Sequence, residues 1–581
     1  MVQRETCPPH KRKEVEAKED SSDVSRKNRE QGEMWGIMTG NQSPVSKKRS
    51  SSSSDPPTGN LIEFGGEPST SKASTWDSTR DAKPKDPEEP EGGGEKSEFR
   101  CCLLEELNRV PGCAMHLGPL SFSDQHTVLV NVAELNNVGR IKAQGGQNMW
   151  DGHFVKMPYA VESTVTKTVF LLTEKQQRWE TIRKHLGSLA KSKSVTPLEV
   201  EKAIKKYNPK YEGLWTFDGL HHFFKVLHDS EKPTYSRTLS RIAELALGCL
   251  IAAKRTFRCS DVGRAEYCNY PTINFQSLFA KWSDRKEQKF RAIFHYFQVV
   301  TEESTVPRGL VTFSRCHMSP FTDWRSCTAL LPKLYITSEG LIEKDGQGML
   351  QVDFACNMVG GGVLGNGLVQ EEILFLINPE LIVARLFTEK LGDNDCLKIT
   401  GSQQYSKYTG YSDKFQWTGP HEDKTPRDEW QRRHRQIVAI DALHLKYPKE
   451  QYNVRNVCRE LNKAYCGFKG EDDTHPDYYP AIATGNWGCG AFGGDPKLKA
   501  LIQLMAAAEA RRDVAYFTFG DKHLQMEILR MHNFLKTNGI TVGRLYKSLE
   551  GFCEEIRIHE KQPSDLYSFI RSYLEKHKSK N

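Results

Sequence analysis

Glu371 and Glu372 stand side by side behind Gln370 in GGGVLGNGLVQEE, residues 360–372, downstream of three consecutive glycines. Two neighbouring carboxylates divide acid and base work when their environments differ, one raised in pKa and protonated, the other ionised. Glycosidic hydrolysis uses such a division. Gly360, Gly361 and Gly362 allow positive φ and let a ligand approach the main chain with no Cβ in the way. QVDFA, residues 351–355, alternates like a strand end and brings Asp353 to the same loop, so three carboxylates are expected to converge there. Gln370 donates and accepts without adding a third adjacent charge, which suits ribose or phosphate. By itself QEE would be an ordinary charged first turn of a helix; the glycines and the strand before them turn the reading towards catalysis.

TGNWGCGAFGGDPKLKALIQLM, from Thr484, is the second chemical segment. Asp495 followed by Pro496 marks a helix start, with Asp as N-cap and Pro in the first turn. The glycine-rich stretch ahead of it should present backbone N–H groups to an anion such as a diphosphate. An adenine ring needs a flat, partly apolar slot, where aromatic stacking supplies roughly 1–3 kcal/mol. Tyr411, in a glycine- and serine-rich loop, and Phe519, closing the strand-like AYFTF, fit that need; a strand must bury alternate residues in any case, so Phe519 is also a natural core residue.

These elements must be positioned by something larger. Before about residue 338 the chain reads as helical segments joined by polar loops, such as RWETIRKHLGSLAKS and YSRTLSRIAELALGCLIAAK; in the second, apolar residues recur at helical spacing. After it, QVDFA, CLKIT, IVAIDA and AYFTFG alternate with helical runs, and Asn378 before Pro379 marks a helix start. Such alternation predicts an α/β core, a mixed sheet with helices on both faces, and ligands bind such sheets beyond the strand carboxyl ends.

VDFA at Val352, the GGG-to-QEE spacing, QYSKYTGY from Gln404, TGNWGCGAFGGD from Thr484, and the segments IVAIDAL, ELNKAYCGF and YFTFGD together resemble the poly(ADP-ribose) glycohydrolases, over roughly residues 99–574. The resemblance implies a macrodomain-like core with an N-terminal helical accessory domain, hydrolysing the ribose–ribose bonds of poly(ADP-ribose). It implies Glu372 as general acid and then base, Glu371 holding ribose hydroxyls, and Asp353 in support. It further implies substrate contacts from Gln370, from Asn486, Trp487, Gly488, Cys489, Gly490 and Ala491 with Phe492 beside them, and an adenine site made by Tyr411 and Phe519 with Ile342 and Glu343 at its edge. One position departs from the family: asparagine usually follows VDFA, whereas this chain has Cys356 and then Asn357. A thiol is a poor substitute for an amide, so either Asn357 takes over the contact or it is lost, at about 1 kcal/mol. No histidine stands near enough in sequence to activate Cys356 as a nucleophile. The competing reading is a binding protein for ADP-ribose that lost its chemistry at Cys356; hydrolysis of ADP-ribose linked directly to protein is a further variant.

The 581 residues exceed one ordinary core. The expected division is a disordered regulatory tail over 1–98, a helical accessory domain over 99–338, the macrodomain-like catalytic domain over 339–545, and C-terminal helices with a basic tail over 546–581. The tail is rich in Ser, Lys, Glu, Pro and Gly. HKRK at His10 and SKKRS at Ser46 read as import signals, giving an expected location in nucleus and cytoplasm, and phosphorylation of Ser50–Ser54 would weaken the second. Fifteen cysteines without a CxxC pair, behind a charged N-terminus, point to a reducing compartment and no structural zinc. Neither metal nor cofactor is required. No apolar run reaches membrane-spanning length. The formal charge of +7 favours an anionic polymer, but no basic helix with interleaved aromatics marks sequence-specific nucleic-acid binding. The expected partners are poly(ADP-ribose) and poly(ADP-ribosyl)ated proteins, engaged by a monomer.

Overall fold

The computed structural model describes residues 101–113, 127–131, 164–169, 172–252, 271, 275–319, 322–470, 475–559 and 565–577. The tail over 1–98, with its basic and serine runs, lies outside the described residues. The strands are β1 (Thr127–Asn131), β2 (Thr164–Val169), β3 (Leu172–Gln177), β4 (Leu310–His317), β5 (Leu334–Thr337), β6 (Leu350–Ala355), β7 (Asp395–Gly401), β8 (Ser406–Thr409), β9 (Gln416–Pro420), β10 (Arg433–Asp441), β11 (Ile482–Gly485) and β12 (Val514–Phe517). The helices are α1 (Arg178–Ala190), α2 (Pro197–Tyr207), α3 (Asp218–Val226), α4 (Lys232–Ala252), α5 (Gln276–Phe279), α6 (Asp284–Thr301), α7 (Ile342–Asp345), α8 (Gln370–Ile377), α9 (Val454–Phe468), α10 (Pro496–Glu509), α11 (Lys522–Thr537), α12 (Val542–His559) and α13 (Leu566–Lys576).

Eight strands form one mixed sheet in the order β1-β4-β7-β10-β6-β11-β12-β5. From β10 to β5 neighbours run parallel, and from β10 back to β1 they run antiparallel. Three of these strands, β1, β4 and β5, precede residue 339, so the helical segment and the sheet are not separated at that point in the chain. Local pattern gave no warning of this, because strands contributed from far away in sequence pair by long-range register.

Alternation along β10 builds both sides of the core. Ile437 and Ala439 belong to the buried core that also holds residues of α1–α4, α6 and α8, while Val438 and Ile440 belong to the core that holds residues of α9–α13. The two faces of the sheet thus feed separate cores, as strands buried on both sides require. Helix starts mostly follow their caps: Asp495 accepts from the Lys497 and Leu498 N–H groups at the head of α10, and Ser283 accepts from Lys286 N at the head of α6. Asn378 differs. Its side chain bonds back to Leu374 O at 3.1 Å, closing α8, and the following Pro379–Leu386 forms a 3-10 helix without a side-chain cap.

Candidate active site

β6 pairs with β11 only at Leu350 and Gln351, and beyond that the two parallel strands part. The β6 edge left by the split is closed by a side chain. Gln370 accepts from Phe354 N at 2.8 Å and donates to Val352 O at 3.2 Å, imitating the missing strand. This gives the Gln370 amide a structural task in place of the ribose or phosphate contact expected of it. The fork opens at the carboxyl ends of β6 and β11, from which the two glycine-rich loops emerge.

The loop after β6 is stretched between opposite charges. Its N–H groups face carboxylates: Glu371 accepts from Gly360 N at 2.5 Å and Cys356 N at 2.9 Å, and Glu372 from Gly362 N at 2.7 Å and Val369 N at 2.9 Å. Its carbonyls face buried cations. Arg385 donates to Val359 O and Gly361 O, and Lys289 reaches four further carbonyls of the loop. Glu371 and Glu372 open α8, which is buried throughout the rest of its length, so they sit on a rigid element. Both oxygens of Glu371 already hold backbone N–H groups, so any ribose hydroxyl must use its remaining lone pairs.

Glycine is required here at Gly361, whose φ is +43°. A Cβ would lie 2.5 Å from Glu372 Oε1 and 2.9 Å from Glu371 Oε2. Gly361→Ala is expected to cost about 1–2 kcal/mol in the left-handed backbone and, by displacing both carboxylates, to lower kcat about 100-fold. Thermal unfolding and steady-state kinetics on the same preparation separate these effects; unchanged kcat would show that the carboxylates tolerate the shift.

Asp353 is completely buried on β6, and neither of its oxygens finds a hydrogen-bond partner among the described residues. Burial, and then the charge of Glu372, push its pKa well above the carboxylate range. Burial and then Asp353 do the same to Glu371. Three carboxyl groups therefore do converge at the loop, and burial together with mutual repulsion favours the neutral forms of Asp353 and Glu371.

Across the fork, the loop after β11 runs through Asn486, which donates to Thr518 O, to Gly488 at φ +73°. Among the described residues the N–H groups of Gly488, Gly490, Ala491 and Phe492 donate to no protein acceptor, and Gly490 and Ala491 are exposed. They lead towards the N-terminus of α10, the arrangement that suits an anion. The Trp487 side chain is fully buried, donates to Ile440 O at 2.9 Å and lies under the Lys499 ammonium, 4.3 Å from the ring centre, so only its backbone faces the loop. Cys489 is half-buried with its thiol pushed up by burial, and Phe492 meets His444 edge-on at 5.3 Å.

Tyr411 is 55% exposed, yet its phenol reaches the Gln370 backbone and feels the charge of Glu372, which places it beside the carboxylates. Phe519 lies beyond the end of β12, in left-handed backbone at φ +52°, 43% exposed, rather than buried in a strand. An exposed aromatic in that conformation is unusual and points to a task outside the core. Its ring lies 6.4 Å from Phe354. Ile342 is buried against Ala483 and Phe517, so its side chain faces the core. Glu343 follows it and accepts from Tyr408 OH at 2.5 Å, with its carboxyl raised by burial. Sequence reasoning missed Tyr408, Arg385 and Lys289; the signal for Lys289 was a cation on the apolar stripe of a helix that also carries Phe290, Ile293 and Phe297.

Comparison with known proteins agrees with this architecture. A family model described as poly(ADP-ribose) glycohydrolase, macro domain fold, matches residues 321–526, and one described as the helical domain of the same family matches 236–315. Poly(ADP-ribose) glycohydrolase 1 of Arabidopsis thaliana is 34% identical over 402 residues, 57% of this chain and 72% of the relative. Probable poly(ADP-ribose) glycohydrolase 2 of the same plant is 31% identical over 357 residues, covering 53% and 67%. Poly(ADP-ribose) glycohydrolase 1 of Caenorhabditis elegans is 35% identical over 277 residues, 45% of this chain and 35% of the relative. With family models matching both the helical segment and the sheet that carries the forked site, and a 34% identical relative covered over 72% of its length, the chain belongs to the poly(ADP-ribose) glycohydrolase family.

Proposed function

We propose that this chain is a glycosidase that hydrolyses the ribose–ribose bonds of poly(ADP-ribose) and releases ADP-ribose. The observation that carries the reading is Glu372, held through both oxygens by backbone N–H groups where β6 and β11 part, with Asp353 and Glu371 behind it. Glu372 gives its proton to the leaving ribose oxygen as the glycosidic bond breaks. Positive charge then develops on the sugar and is stabilised by the carboxylate left behind. Water adds to the anomeric carbon and returns a proton to Glu372. Glu371 organises the loop and borders the ribose. Burial, and then the charge of Glu372, raise the Asp353 carboxyl, which favours its neutral form and so limits the negative charge near the sugar.

The open N–H groups of Gly488, Gly490, Ala491 and Phe492 receive the diphosphate, and Tyr411 and Phe519 hold the adenine, with Glu343 at its edge. Tyr411→Ala is expected to weaken ADP-ribose binding by ~1–3 kcal/mol, read by calorimetry, with kcat changed far less; equal binding by the variant would remove Tyr411 from the adenine site. Cys356 lies half-buried at the mouth of the loop with Sγ 3.8 Å from Asn357 Oδ1. Cys356→Asn is expected to raise kcat/KM about fivefold, the worth of one polar contact of about 1 kcal/mol. A fall would mean that Asn357 already serves the substrate.

Release of free ADP-ribose from purified poly(ADP-ribose) tests the assignment. Binding without release over long incubation would make the chain a reader of ADP-ribose instead. The partners are then poly(ADP-ribose) and proteins that carry it, met by a monomer without sequence-specific nucleic-acid binding, in nucleus and cytoplasm and in the response to DNA damage. Light scattering and imaging of the tagged chain with its basic runs at 10–13 and 46–49 replaced test those points. No helix among the described residues is long and apolar enough to cross a membrane.

A further inference from the structure

Lys289 sits on α6, in the helical segment, and is fully buried although it carries an ammonium group. Its Nζ lies 3.2 Å from Gly362 O, 2.9 Å from Val363 O, 2.9 Å from Gly365 O and within hydrogen-bond reach of Gly367 O. One cation thus gathers the carbonyls of a single tight turn, and the same turn supplies the Gly362 N–H that holds Glu372 Oε1. The fit is close on the other side as well, since a Cβ at Gly367 would stand 2.5 Å from that oxygen. Glu372 therefore cannot be displaced independently of the turn, and the turn has no regular secondary structure to hold it in place.

The neighbouring residues of α6 reach in the same direction. Arg285, one turn earlier, donates to Asn366 O and Ser412 Oγ and pairs with Asp413, tying the glycine turn to the loop that carries Tyr411. Gln288 accepts from Trp417 N at 3.0 Å in the hairpin formed by β8 and β9. We propose that Lys289 is a positioning residue for hydrolysis, setting the place of Glu372 through the 362–367 turn, and that the helical segment contributes to the reaction through this lysine. The inference rests on the glycohydrolase reading. Lys289 and Glu372 also sense each other electrically: burial pulls the ammonium down to about 7, and the charge of Glu372 pushes it back up. Arg385 completes the arrangement from the macrodomain side by donating to Val359 O and Gly361 O. It cannot replace Lys289, because it binds the preceding turn.

The test compares the parent chain with Lys289→Met, which keeps the length and apolar stem but loses the charge and donors, and with Lys289→Ala. The expected result for Lys289→Met is a fall in kcat of about 100-fold, with KM and ADP-ribose affinity within threefold of the parent. Lys289→Ala should recover at least tenfold in kcat when ethylammonium is supplied, and not with tetramethylammonium, which fills space without N–H donors. Lys289→Met with parental kcat overturns the proposal. So does Lys289→Ala that no primary amine restores, or a variant that loses affinity and kcat in equal measure, because each marks a role in packing alone. If Lys289→Met does not fold, the amine experiment on Lys289→Ala decides. An inactive parent that binds ADP-ribose would overturn the glycohydrolase reading and this proposal with it, whereas an active parent beside unimpaired variants overturns the proposal alone.

Discussion

Glu372→Gln is expected to lower turnover of poly(ADP-ribose) by about 10²–10⁴-fold, the range contributed by a positioned general acid, while ADP-ribose binds within a few-fold of the parent. The amide keeps the shape of the carboxyl group and can still accept the Gly362 N–H, but it carries no proton to give to a leaving oxygen. It also cannot accept at both ends. An amide NH2 turned towards the Val369 N–H loses the second bond of the pair, at a cost of about 1 kcal/mol in stability. Single-turnover release of ADP-ribose separates the chemical step from product release, and calorimetry with ADP-ribose reports binding. Unchanged single-turnover rates would remove Glu372 from proton transfer. Loss of binding in proportion to turnover would make it a ligand contact instead.

The chemistry of the site was legible where neighbours in sequence remain neighbours in space. The GGG-to-QEE run, the strand carrying Asp353, and Asp495–Pro496 at the head of α10 are local patterns, and backbone propensity and capping settle them at short range. What the residues do inside that frame depended on contacts that local pattern does not encode. Gln370 has the chemistry of a ribose ligand, yet the parting of β6 from β11 leaves two backbone groups that it must satisfy. Trp487 stands in a glycine-rich loop, but its indole reaches Ile440 O and fills the core. Phe519 moved the other way, from an expected strand position to an exposed turn, because β12 ends at Phe517.

The buried cations show the same limit from the opposite side. Lys289 is separated from its carbonyl partners by more than seventy residues, and Arg385 reaches back over more than twenty to the loop it holds. In sequence each is one more charged residue on a helical stretch. Only the fold reveals that the loop separates its donors from its acceptors, carboxylates on one side and cations on the other. The addition of β1 and β4 to the sheet belongs to the same class of long-range fact, since the register of each comes from its partner.

Arg435→Met is expected to destabilise the protein by ~3–5 kcal/mol, the usual consequence of removing one member of a buried ion pair, and to lower Tm by about 5–10 °C. Arg435 and Asp423 are both almost fully buried, with Arg435 Nη1 2.5 Å from Asp423 Oδ2 and donating also to Ser402 O. Burial pushes the Asp423 carboxyl up, but the guanidinium outweighs it and, with the Gln404 N–H, holds the pKa well below the carboxylate range. The sign follows: the pair's stabilisation is fully present above about pH 4, the unfolded value for Asp, and is lost as pH falls through the depressed folded value. The difference in stability between parent and Arg435→Met should therefore shrink on acidification below that point. Arg435→Met with Asp423→Asn should recover only part of the loss, since an amide leaves no charge buried but is a poorer acceptor for the Gln404 and Thr425 N–H groups that Asp423 now holds. The defect should also reach the site. Ser402 and Gln404 lead directly into β8 and the loop that carries Tyr411, so Arg435→Met should raise KM more than it lowers kcat, below the melting range. Thermal and acid unfolding followed by circular dichroism, beside kinetics at one low temperature, check both parts; full recovery in the double variant would mean that charge alone, and not the held N–H groups, fixes that segment.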